Sequence, residues 1–263
     1  MTLVTDPARE LAEIAERLTR STNAVGEKFL ADQFGVSAWS TDFVKIITCI
    51  LERADLVTEI VRTSDMDDDH KANALNDLRQ FKTGFTGNSL RQPWNNAGNG
   101  LTAMKDHGRP IQYLSTIVRQ KVCYPKLTDD EVSELLGLID AYVEELGANG
   151  DAPEFVKQAI LDGLAMFRFQ LDRVGWMGSG YALAAFREVM LACEFASRQF
   201  RDADEFDGEA ALRGLRTIVS KFREKVDAAR GWTESAEAVW KWYQVGSSVA
   251  APLLLAGRVH GAT

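Results

Sequence analysis

The sequence predicts an all-α protein, a multi-helix bundle of about ten helices with no β-sheet. Three observations carry this. Apolar residues recur at the 3.6-residue spacing of a helix face along nearly the whole chain. Helix-start chemistry punctuates the pattern, with Asp6 before Pro7 and Thr128 three residues before Glu131. No run alternates apolar and polar residues as a half-buried strand would.

The first helix is expected from Pro7 to about Arg20, with Leu11, Ile14, Ala15 and Leu18 on one face. A second spans about Asn23 to Phe34 and stops at Gly35. The third, Ser40 to Thr63, has the fullest stripe, running from Phe43 through Ile46, Ile50 and Val57 to Val61. A fourth opens in the acidic run at Asp67 and carries Leu75, Leu78 and Phe81.

The pattern then breaks. Residues 84–108 hold five glycines, four asparagines and Pro93, which reads as a long Gly/Asn-rich loop. It is the expected boundary between an N-terminal helical region, 1–83, and a C-terminal helical bundle, 109–263. Helix five is expected to open at Pro110, helix six at the Thr128–Glu131 capping box and helix seven at Pro153. Helix eight should reach about Phe200, helix nine should cover about Asp207 to Arg230, and helix ten about Thr233 to Tyr243.

Composition bounds the chemistry. The 263 residues carry 30 Lys and Arg against 38 Asp and Glu, a net charge of −8. An acidic chain argues against bulk nucleic-acid binding, which depends on cations neutralising phosphates. Three widely spaced cysteines, with no CxxC or Cys/His pair, read as reduced core thiols of a cytoplasmic protein. The first residues show no basic, then apolar, leader pattern, and no apolar run reaches the ~18 residues of a membrane span.

Several motifs fail on context. Asp65–His70 starts like a calcium loop, but His70 and Asn76 stand where that loop needs Gly and Glu. Asp67 and His70 form one D-x-x-H pair where a di-iron bundle needs two E-x-x-H pairs. Gly98–Ala103 fits GxGxxA without a preceding strand. No cofactor or metal is expected.

Two regions remain. In the loop, Trp94, Asn95, Asn96, His107 and Arg109 are the candidate binding residues, and His107 beside Asp106 is a candidate general base for a hydrolase. Near the C-terminus, residues 212–230 carry six cations against Glu224 and Asp227, so the rest of the chain carries −12. Trp232, Trp240 and Trp242 follow, then the apolar stretch Val245 to Gly257. Arg216, Lys221, Arg223 and these tryptophans suit either a protein interface or a membrane-surface element.

Leu90 to Trp94, the capped helix from Lys126 to Leu146, and Pro153-Glu154-Phe155 together resemble a group of helical bacterial proteins without assigned function. The resemblance covers about residues 90–190 and implies a helical bundle and a bacterial origin, with no functional residue. The expected function is a non-enzymatic interaction or assembly module of the bacterial cytoplasm, with a protein partner or a second copy as its target. A membrane-acting effector using residues 212–258, peripheral to the inner membrane, is the alternative. A hydrolase centred on residues 84–110 is the third reading.

Overall fold

In the computed structural model the chain is all-α, and residues 3–148, 154–201 and 208–230 are described. Asp6 starts the first helix, α1 (Pro7–Arg17). Its carboxylate accepts from the backbone N–H groups of Ala8 and Arg9, each at 3.1 Å, and Pro7 fills the first helical position where no amide is needed. α2 (Gly26–Phe34) ends at Gly35, whose φ of 66° is the left-handed conformation glycine adopts without strain. α3 (Thr41–Arg62) is capped by Ser40 and buries its predicted stripe. Before it, Trp39 holds a φ of 61° that a bulky residue rarely adopts. Its indole N–H donates to Glu27 at 2.6 Å, and its ring meets the edge of Phe43.

The acidic run at 65–69 is a helix start. Asp67 caps α4 (Asp68–Thr83) by accepting from the His70 amide at 3.0 Å. That bond, with a second from the His70 ring, holds the exposed Asp67 carboxyl below the usual carboxylate range.

The region expected as a 25-residue loop differs from the expectation. It contains α5 (Gly87–Arg91), a turn, and then α6 (Gly100–Tyr113). Pro110 lies inside α6 rather than at its start. Gly100 and Gly108 serve close packing instead of a free loop. A Cβ on Gly100 would lie 2.0 Å from the Trp94 ring, and one on Gly108 would lie 2.1 Å from the Ala15 side chain, where α6 crosses α1. A short α7 (Ser115–Val118) follows.

The expectation of no β-sheet is also corrected. β1 (Leu3–Thr5) pairs antiparallel with β2 (Tyr124–Lys126), Leu3 opposite Lys126 and Thr5 opposite Tyr124. Three-residue strands are too short to show alternation, and Pro125 is tolerated because the ribbon has only two strands.

α8 (Asp129–Ala148) opens on the predicted capping box. The Thr128 amide donates to Glu131 at 2.8 Å, and the Glu131 amide donates to the Thr128 hydroxyl at 3.3 Å. α9 (Glu154–Asp172), a single turn α10 (Val174–Met177), α11 (Ser179–Arg201) and α12 (Gly208–Arg230) complete the described helices. The expected helix ten and the apolar stretch 245–257 lie outside the described residues.

Two hydrophobic cores result. The first gathers α1 to α7 and β2 around Leu11, Phe43, Ile50 and Trp94, and also takes in Met177 of α10. The second is the interior of a four-helix ring in which α8 packs on α9, α9 on α11, α11 on α12 and α12 back on α8. Phe167, Phe186 and Phe222 meet at its centre, with ring centroids 4.4 to 5.7 Å apart. Half-buried Leu183 packs against both cores.

Candidate functional site

The structure spreads the loop candidates over separate structural contacts. Trp94 is fully buried, donates from its indole to the Leu18 carbonyl at 3.1 Å, and packs on Phe29 at 5.0 Å between centroids. The Asn95 side-chain amide donates to Asn23 at 2.7 Å. The Asn96 backbone N–H closes a turn onto Pro93, and its carbonyl accepts from Asn99. His107 faces α4 instead, with Nδ1 2.8 Å from the Asp77 carboxylate. Arg109 is exposed on α6. Trp94, Asn95, Asn96 and His107 therefore fasten neighbouring segments.

The basic C-terminal helix is integrated into the second core. Leu212, Leu215, Ile218 and Phe222 of α12 are each no more than 1% exposed, so their faces are already occupied by protein. Lys221 crosses to Glu134 of α8 at 2.5 Å, while Arg216 and Arg223 are exposed. Trp232, Trp240 and Trp242 lie outside the described residues. Among the described residues no helix is long and apolar enough to cross a membrane, and no group of acids, cysteines and histidines is placed to hold a metal ion.

What the structure assembles, and the motif reading missed, is a groove of about 520 Å³ between α8 and α9. α8 supplies Ile139, Asp140, Val143 and Glu144; α9 supplies Leu161, Leu164, Ala165 and Arg168. The helices run antiparallel, because Arg168 of α9 meets Asp140 of α8 while Lys157 of α9 reaches the Gly147 carbonyl, at 3.4 Å. Ile139 and Leu164 turn partly into the core and are buried, so they form a rigid floor. Val143 and Leu161 are only half-buried and offer apolar surface to solvent.

One end of the groove is closed by a two-pronged ion pair. Arg168 donates from Nε and from a terminal nitrogen to the two Asp140 oxygens, at 2.6 and 3.0 Å. The hydrogen bond from Arg168 holds the Asp140 carboxyl below the usual carboxylate range and raises the Arg168 guanidinium in turn. On the rim, Glu144 is exposed and makes no ion pair among the described residues. The signal available in sequence was the width of the α8 stripe. Leu136, Leu138 and Val143 lie outside the tight Leu135–Ile139–Tyr142–Leu146 face that fills the core.

No protein-family model, no curated protein and no solved structure matches the chain.

Proposed function

We propose that the protein is a helical interaction module that binds another protein through the α8/α9 face. The observation that carries this reading is the groove itself. A half-open apolar trough of about 520 Å³, with a preformed floor and a polar rim, sits on a well-packed four-helix core. Rigid support of this kind lowers the ordering cost of binding. The buried stripe of α12 favours this over lipid insertion by that helix, since one apolar face cannot fill the core and enter a bilayer at once.

The test is site-directed photo-crosslinking in the source cell. A photoreactive residue at Leu161 should give a discrete protein adduct. The same probe at exposed Arg79 on α4, in the other half of the molecule, should not. No adduct at Leu161, or identical adducts from both positions, overturns the reading.

A further inference from the structure

The charge around the groove narrows the partner. α8 carries seven carboxylates and no Lys or Arg. α9 adds three carboxylates against Lys157 and Arg168. Arg168 and, from α12, Lys221 are already paired with carboxylates, Asp140 and Glu134, while Lys157 keeps its charge against the Gly147 carbonyl. Glu144 stands exposed on the rim of the groove with no ion pair among the described residues. The groove is apolar at its floor, and the α8–α9 pair around it carries ten carboxylates against two cations.

The α9 wall sets the length of the trough. Its lining runs from Leu161 to Arg168, seven residues on, about 10 Å or two helical turns. That matches the span over which an amphipathic helix presents apolar residues at i, i+3 or i+4, and i+7.

Resting on the interaction-module reading, we propose that the groove receives two turns of a basic amphipathic helix from a partner protein. Its apolar side chains fill the space over Val143, Leu161 and Leu164, and a Lys or Arg residue meets Glu144. Charge complementarity selects this occupant. A second copy presenting the same face would oppose carboxylate to carboxylate. Anionic lipid and nucleic acid meet the same repulsion.

The experiment uses the full chain and two synthetic helices of about 18 residues, long enough to form in isolation. Both carry leucines at the same amphipathic spacing. One has lysines on its polar face, the other glutamates. By fluorescence anisotropy the Leu/Lys helix should bind at least about tenfold tighter than the Leu/Glu helix, and added salt should erode that difference. Glu144→Gln should weaken the Leu/Lys helix severalfold. Val143→Arg, checked for native helicity, should abolish binding by placing a charge over the floor.

Equal binding of both helices, binding of neither, or binding that survives a folded Val143→Arg overturns the proposal. So does a dimer in light scattering that Val143→Arg dissolves, or capture of the chain by anionic vesicles that competes with the Leu/Lys helix. A crosslinked partner at Leu161 together with failure of the Leu/Lys helix removes the partner class alone. Absence of the Leu161 adduct removes the underlying reading.

Discussion

Arg53 and Glu10 form a buried ion pair at 2.9 Å, with side chains 5% and 9% exposed, between helices α3 and α1. Neither spends its full hydrogen-bonding capacity on the other. Arg53 also donates to the carbonyls of Cys49, at 3.4 Å, and Trp176, while the second Glu10 oxygen accepts from the Ser179 amide at 3.0 Å. Ser179 opens α11, and Gly178 before it takes a φ of 96° where an added Cβ would lie 2.5 Å from the Arg53 guanidinium. The pair thus ties the first core to the segment that leads into the second. Nearby, the Tyr181 hydroxyl donates to Glu52 and the Arg17 guanidinium lies over the Trp176 ring at 5.3 Å, adding fasteners at the same junction.

Removing one partner leaves the other charged and buried. Arg53→Ala should lower unfolding free energy by about 3–5 kcal/mol, measured by denaturant titration. Glu10→Leu combined with Arg53→Met should cost less than the sum of the two single changes, because no lone charge remains. Additive losses would show that the pair is not coupled.

Glycine has opposite meanings at two positions. At Gly100 an added Cβ would lie 2.0 Å from the buried Trp94 ring, so Gly100→Ala should destabilise by about 1–3 kcal/mol and perturb tryptophan fluorescence. At Gly137, inside α8, nothing lies within 4 Å of an added Cβ. Gly137→Ala should therefore stabilise by about 0.5–1 kcal/mol in thermal melts.

The Asp140–Arg168 closure should contribute at neutral pH and fail in acid. The folded-state pKa of Asp140 is depressed by Arg168, so its stabilisation is present above the unfolded value, about 3.9, and is lost as pH falls through the folded one. Solvent exposure limits this to at most about 1 kcal/mol. An NMR titration should find the Asp140 midpoint below that of a free aspartate, and Arg168→Gln should raise it.

Burial pushes the Cys49 thiol up to about 12. It should resist alkylation at pH 8 in the folded chain, read residue by residue by mass spectrometry, and half-buried Cys123 should react faster. The sign for stability is opposite to that of Asp140. The native state holds the Cys49 proton longer than the unfolded chain, so this contribution is intact below about pH 8.5 and declines as pH rises toward 12.

Much of the fold is legible in local chemistry. The Asp6 and Thr128 caps, the Gly35 stop and the Phe43–Val61 stripe depend on residues a few positions apart, and each is found where its spacing predicts. The misreadings share one cause. The glycines and asparagines of 84–108 look like loop chemistry in isolation, but Gly100 and Gly108 are required by Trp94 and by Ala15, which is 93 residues away from Gly108. The partner of His107 is likewise out of reach of local reading, since folding sets its ring against Asp77 on another helix. The β1–β2 ribbon joins segments more than a hundred residues apart through strands too short to carry a pattern.

The groove shows the same division. Sequence alone determined that α8 is an amphipathic, acid-rich helix, because periodicity and charge belong to one segment. Only tertiary structure decided which of its apolar residues remain at the surface. Leu135, Ile139, Tyr142 and Leu146 are taken into the core between α9 and α12, while Val143 is left beside Leu161 at the seam with α9. Burial is a property of the pairing of helix faces, and the pairing is settled by the packing of the whole ring.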